Sequence, residues 1–316
     1  MGVTIVPEGK LACGIQLPVQ AQSTIFVEPW ERAAGPDELA RVLARAEEAG
    51  LFYVAVCDHV AVPREPATRM GTTWYDTIAT LAWAGARTER IRLLSHVLVA
   101  PYRPPLAVAK AFLTLDELTG GRAVLGVGVG HVEGEFAALG ADFAGRGSVT
   151  DEAIDVIRAA FTNEWVTHHG EHFDVDDVGL RPRGHQERIP IWVGGSSPRA
   201  VRRAAERGDG WLPQGPPAEG MAAAVTRLRD HRAAVGRGDD PIDIGGFAMP
   251  MYVGQADWDL GAWSADGPPD QHAEGLRELA AVGVNHVQIR LRSRSVDELC
   301  DQLDAFGAEV LPLLDG

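Results

Sequence analysis

Positive charge is scarce in this chain. It has 29 lysines and arginines against 44 aspartates and glutamates, a formal net charge of −15. A surface of that sign repels phosphate backbones and anionic lipid, so nucleic acid and membrane surfaces are poor partners. Cysteine is scarcer still. Cys13, Cys57 and Cys300 lie far apart, which gives neither a metal-binding spacing nor a disulfide framework and suits buried thiols in a cytoplasmic protein. No apolar run approaches the roughly 20 residues that span a bilayer. Met1 to Lys10 lacks the basic start and apolar segment of a secretion signal. Leu11-Ala12-Cys13 faintly resembles a lipoprotein cleavage site, but it reads better as the start of a first strand.

Several catalytic signatures are also missing. There is no G-x-S-x-G to present a serine nucleophile and no Walker loop. A metal-dependent barrel hydrolase would carry H-x-H on the first strand or H-E-x-x-H elsewhere, and neither is present. His168, His169 and His172 cluster around Gly170, but they fall in a polar hairpin where solvated side chains are expected, and we assign no metal. Glycine-rich Gly121 to Glu135 invites a dinucleotide-binding reading. The fingerprint G-x-G-x-x-G fails there: six-residue windows from Gly126 and from Gly128 end on His131 and Glu133.

What is present is an alternation. Apolar runs near 11–18, 52–57, 91–100, 122–127, 189–193, 210–212, 242–251 and 286–291 read as strands buried on both faces. Between them lie helical patterns. Leu39, Val42, Leu43 and Ala46 recur at i, i+3, i+4 and i+7 between Pro36 and Gly50. Ile154, Ile157 and Phe161 form the inner stripe of a helix opened by Ser148. Further helices are expected over 74–88, 104–118, 219–235 and 271–282, and Ser295 with Glu298 caps a last one. Glu164 to Arg183 breaks the rhythm and reads as a hairpin excursion. About eight strands alternating with eight helices predict an α/β fold: a (β/α)8 TIM barrel with insertions in its rim loops, one domain over 1–316.

Such barrels place their sites at the C-terminal ends of the strands. Strand 2 ends on Asp58-His59, strand 3 at His96 to Pro101, strand 4 at Gly128 to His131, and strand 5 at Gly194-Gly195-Ser196-Ser197. His59 is the first candidate for acid/base work, because imidazole titrates near neutrality. With His96 and His131 on neighbouring strand ends, three histidines would converge. His131, following Gly130, is expected to point into the cavity, and Glu135 to hold a helix start or Arg146. The turn into Ser197-Pro198 offers backbone N–H groups and a helix dipole to an anion, or is simply a capped turn. Trp30, Trp74, Trp258 and Trp263 fall in loops, where they would cover a flat cofactor or apolar substrate, or pack beneath the loops.

These pieces resemble the bacterial luciferase-like monooxygenase superfamily over nearly the whole chain. The matching stretches are E-E-A-G-L-F-Y-V-A-V-C-D-H (47–59), H-V-L-V-A-P-Y-R-P-P-L-A-V-A-K (96–110), L-D-E-L-T-G-G-R-A-V-L-G-V-G-V-G (115–130), P-I-W-V-G-G-S-S-P-R-A-V-R-R-A-A (190–205) and G-D-G-W (208–211). The resemblance is greatest to the branch using coenzyme F420. It implies a cofactor ring at the rim, an active-site histidine at His59 with Asp58 beside it, a non-prolyl cis peptide at His96-Val97 behind the ring, and cofactor contacts from Asp58, His59, His96, Val97, Gly130, His131, Gly194, Gly195, Ser196 and Ser197. F420-dependent sugar-phosphate dehydrogenases of the superfamily carry a glutamate where this chain has His131. The implied activity is hydride transfer between F420 and a small organic substrate lying among the loops after strands 1, 2, 4 and 7, with His59 and His131 catalytic. The alternatives are an FMNH2-dependent monooxygenase served by a separate reductase, and a non-catalytic homologue that binds F420 or flavin. A cytoplasmic homodimer is also implied.

Overall fold

The structure is a computed structural model that describes residues 2–23 and 27–314. Thr24 to Phe26, in the rim loop expected over 19–35, lie outside the described residues. Eight parallel strands close into a barrel: β1 (Ala12–Gln16), β2 (Tyr53–Val56), β3 (Arg92–Ser95), β4 (Ala123–Gly128), β5 (Ile191–Gly194), β6 (Gly210–Leu212), β7 (Asp243–Phe247) and β8 (His286–Ile289). Closure comes from β1 pairing with both β2 and β8, and from β3 pairing with β4. The eight major helices are α1 (Pro36–Glu48), α2 (Thr77–Gly85), α3 (Pro105–Thr119), α4 (Arg146–Thr162), α5 (Pro198–Arg207), α6 (Met221–Ala234), α7 (Pro269–Ala281) and α8 (Val296–Ala305).

Local chemistry accounts for most boundaries. Ser197 accepts from the Ala200 N–H and Pro198 takes the first position of α5, as expected. Ser295 caps α8 in the same way. Leu39, Val42, Leu43 and Ala46 are all buried in α1. The hairpin excursion is an antiparallel pair, Trp165–His169 with Asp174–Gly179. Three expectations need correcting. Helix α4 begins at Arg146 with Gly145 as its cap, so Ser148 lies inside the first turn and donates to the Gly145 carbonyl. A short helix, Arg64–Met70, occupies the rim loop over 60–73, and a second, Glu133–Leu139, carries Glu135 in its first turn. The apolar run 242–251 is not one strand: β7 stops at Phe247, and Met251–Val253 pairs instead with Ala265–Gly267.

Apolar burial divides in two. The larger core lies between strands and helices, while a smaller one fills the barrel, with Val6, Ala12, Tyr53, Ala55, Leu94, Val124, Trp192 and Leu212. Inside, large rings face glycines in register. Tyr53 lies across from Gly14, Trp192 from Gly210 and His286 from Gly245. A Cβ at each of those glycines would strike the ring opposite. The three rings pack on one another: Trp192 and His286 stack at 4.2 Å and 18°, and Tyr53 meets both edge-on at about 6 Å.

The glycines of β4 are explained by their neighbours. A Cβ at Gly126 would overlap the Ser95 carbonyl oxygen, and one at Gly128 would strike the Val97 side chain. Gly126→Ala should therefore cost at least the roughly 1–3 kcal/mol typical of overpacking. Gly275→Ala, in α7 where an added methyl meets open space, should stabilise by roughly 0.5–1 kcal/mol. Urea unfolding of the two variants measures both signs.

Candidate functional site

After β3 the chain makes the expected cis peptide, His96-Val97, and then re-enters the sheet as Leu98-Val99 beside β4. The bulge drives the Val97 side chain inward. It occupies the space that Cβ atoms at Gly128 and Gly194 would need. The glycines thus admit Val97, which stays partly exposed beside them.

Asp58 and His59 leave β2 in opposite directions. Asp58 is buried, and Arg103 grips both of its oxygens at 2.7 and 2.9 Å, while the Val99 N–H and the Thr77 hydroxyl donate to it. Removing one partner of such a buried pair strands the other and costs roughly 3–5 kcal/mol. Asp58 therefore pins the β2 end to the segment after the cis bulge. His59 turns to the rim. Its Nδ1 lies 2.8 Å from Oε2 of the fully buried Glu135. Oε1 of Glu135 accepts from the N–H groups of Val60 (2.5 Å) and Ala61 (3.0 Å), and the Tyr102 hydroxyl donates to Oε2 at 3.1 Å.

Burial alone would raise the Glu135 pKa. The bonds from His59, Ala61 and Val60 outweigh it and hold the carboxyl below its usual range. An ionised Glu135 requires the Nδ1–H tautomer of His59, which leaves Nε2 free to exchange a proton. This partnership was not foreseen: Glu135 was expected to face a helix start or Arg146, but Arg146 instead bonds the Phe143 carbonyl and stacks on that ring. The Trp74 ring lies 4.4 Å from His59, and His131 meets it edge-on at 5.7 Å. His131 is exposed at the rim instead of pointing inward. Partial desolvation and the like charge of His59 push its pKa down, while Glu135 draws it up.

The three strand-end histidines do not converge. His96 turns instead to the loop after β6, where its Nε2 lies 2.9 Å from the Gln214 amide, and its Nδ1 has no partner. Desolvation lowers its pKa to about 4. Below it, burial and then the charge of His96 push His286 to about 3, against a small upward pull from the Trp211 carbonyl. The hairpin histidines bond locally, His168 to Glu152 and His169 to Asp174.

At the start of α5, Gly195 adopts φ +115° and gives its N–H to the Leu212 carbonyl, and the Ser196 hydroxyl bonds the Gly215 carbonyl. Ser197, Pro198 and Arg199 are exposed. A cavity of about 950 Å³ lies beside the His59 group, meeting it at Trp74 and His96. Its walls come mainly from the loops after β1, β6, β7 and β8, including Trp30 and Trp263, with Trp74 added from the loop after β2. His131 and the loop after β4 take no part in it, contrary to the expected substrate position. Trp258 packs near Tyr252, Arg292 and Arg294 instead.

A profile of the luciferase-like monooxygenase family matches residues 18–263. The chain belongs to that family, and it is an enzyme. An F420-dependent glucose-6-phosphate dehydrogenase of Intrasporangium calvum is 28% identical over 341 residues, covering 91% of this chain and 98% of that one. An uncharacterised Mycobacterium tuberculosis protein is 33% identical over 211 residues, 63% of this chain and 72% of its own. Among solved structures, a coenzyme F420-dependent tetrahydromethanopterin reductase from Methanopyrus kandleri superposes with a TM-score of 0.76 at 20% identity, covering 96% of this chain and 99% of that one. The barrel is therefore the luciferase-like one. No helix among the described residues is long and apolar enough to cross a membrane.

The depressed His286 gives a signed stability prediction. Its folded-state pKa lies near 3 and its unfolded value near 6.5, so the folded protein binds fewer protons between those limits and loses stability as pH falls through them. The slope is about 1.4 kcal/mol per pH unit for such a group. His286→Phe, which preserves a ring on Trp192, should flatten the pH 6.0 to 4.5 dependence of urea unfolding by about that slope. An unchanged slope would show that His286 is not held neutral.

Proposed function

We propose that the chain is an F420-dependent oxidoreductase that transfers a hydride between the deazaflavin and a small organic substrate. The observation that carries this reading is the His59–Glu135 pair: a rim imidazole whose tautomer is set by a buried carboxylate, beside the Val97 shelf. Similarity to an F420-dependent dehydrogenase over 91% of the chain supports the choice of cofactor.

The residues present fit such a group. Val97, held over Gly128 and Gly194, offers an apolar surface to a flat ring, and Trp74, beside His59, keeps an unpartnered Nε1. Gly194, Gly195, Ser196 and Ser197 form the approach to the α5 N-terminus, where backbone N–H groups and the helix dipole favour a phosphate. Gly130 keeps the β4 end free of a side chain. When bound, the deazaflavin supplies hydride donation or acceptance. His59 Nε2 exchanges the accompanying proton with substrate. Glu135 orients His59 through its Nδ1, with Tyr102 anchoring the carboxylate. His131, edge-on to His59, is the second candidate for proton transfer. Asp58 acts through position by locking β2 to the cis bulge through Arg103. The reading includes a cytoplasmic homodimer, and sedimentation would measure the assembly.

Titration with F420 and with FMN, followed by tryptophan quenching, tests the cofactor. F420 should bind, and micromolar FMN affinity without F420 binding would overturn the proposal in favour of an FMNH2-dependent monooxygenase with a separate reductase. His59→Ala should keep cofactor affinity and lower kcat by roughly 100-fold or more, the scale of general acid–base catalysis. Full activity in that variant would refute the role of His59.

A further inference from the structure

The cavity beside His59 is described by its charges, its floor and its mouth. Its charged lining side chains, among the described residues, are Glu28, Glu31, Arg290 and Arg292. They balance. Arg292 holds Glu28 at 2.5 Å and also bonds the Leu260 carbonyl and the Ser264 hydroxyl. Arg290 is likewise engaged, with Glu28 and Glu31 as its electrostatic neighbours. A phosphate entering the cavity would meet two guanidiniums already answered by carboxylates.

The floor is polar but uncharged. Tyr53 Oη, Gln288 Oε1 and His96 Nδ1 line it without any hydrogen-bond partner, and the His286 nitrogens make no bond of ordinary geometry. Buried polar atoms left unpaired are costly, and here they gather at one end of one cavity. A neutral amide, a phenol and uncharged imidazoles match a carbonyl, hydroxyl or amide better than an ion. The mouth is apolar. Phe247, Met249 and Trp263 are 37%, 46% and 78% exposed, and all three border the opening. Large apolar side chains left in water around an opening mark a surface that a ligand covers.

We propose that this cavity takes an uncharged substrate with an apolar body and a hydrogen-bonding carbonyl or hydroxyl head, and excludes phosphorylated substrates. Calling the ligand a substrate rests on the oxidoreductase reading; the binding preference itself does not. The chain thereby differs in substrate class from the glucose-6-phosphate dehydrogenase it resembles.

Calorimetric titration of the cofactor-free and the F420-loaded protein with 4-phenyl-2-butanone and with glucose 6-phosphate tests this. The ketone should bind at least tenfold tighter than the sugar phosphate, with less than twofold change between 20 and 200 mM salt, because no ion pair is screened. Trp263→Ala combined with Phe247→Ala should weaken it at least fivefold. Tyr53→Phe, which removes an unpartnered hydroxyl donor from the floor and keeps the ring, should weaken the ketone at least threefold while leaving butylbenzene, which lacks the carbonyl, unchanged. Absence of ketone binding, or glucose 6-phosphate binding as tight and salt-dependent, overturns the proposal. Ketone binding without F420 binding would keep this inference and sink the cofactor assignment, so the two failures are separable.

Discussion

The packing of three rings against three glycines inside the barrel is the constraint on which the site depends. Tyr53, Trp192 and His286 fit only because Gly14, Gly210 and Gly245 stand opposite them in the parallel register. Together they close the barrel interior and form the level below which no ligand passes. The register that matches ring to glycine also sets the height at which each strand ends. The rim, and the groups it carries, are therefore placed by packing several residues below it.

Above that level the rim separates two kinds of chemistry. On the β2 to β5 side, charge is concentrated and organised: Arg103 neutralises Asp58, and Glu135 is stabilised by His59, Tyr102 and two backbone N–H groups. On the β6 to β1 side, the charges of Glu28, Glu31, Arg290 and Arg292 balance, and the floor is uncharged, since burial keeps His286 and the His96 that reaches across from β3 neutral at physiological pH. Trp74 stands between the sides, touching His59 with its ring and lining the cavity. Proton exchange and ligand recognition thus lie next to one another and meet at Trp74, and a barrel whose loops vary independently of its strands permits that arrangement.

Much of the architecture could be read from the chain. The alternation of apolar runs with amphipathic stretches is a local property, and so are the caps at Ser197 and Ser295. Local signals also misled where two short-range options competed. Ser148, three residues before Asp151, resembles the start of a helix, but Gly145 caps it. The stretch 60–73 carries Pro63 and Gly71 yet folds a two-turn helix between them. The candidate site was legible in its members more than in its partnerships. His59, His131, the cis bulge and the Ser197 turn were all visible, while Tyr53, Tyr102, Arg103, His286 and Gln288 carried no motif of their own.

The sequence by itself determined the order of strands and helices, the faces that are buried and the residues that stand at the strand ends. Those follow from side-chain periodicity and backbone preference within a few residues. Tertiary structure alone decided that Glu135 reaches across 76 residues to His59, that His96 belongs with Gln214 and not with His59, and that the β4 glycines make room for Val97. The physical reason is barrel closure. Once eight strands are hydrogen-bonded in one register, residues remote in the chain meet at fixed heights, and hydrogen bonding and steric fit between those neighbours assign each group its role.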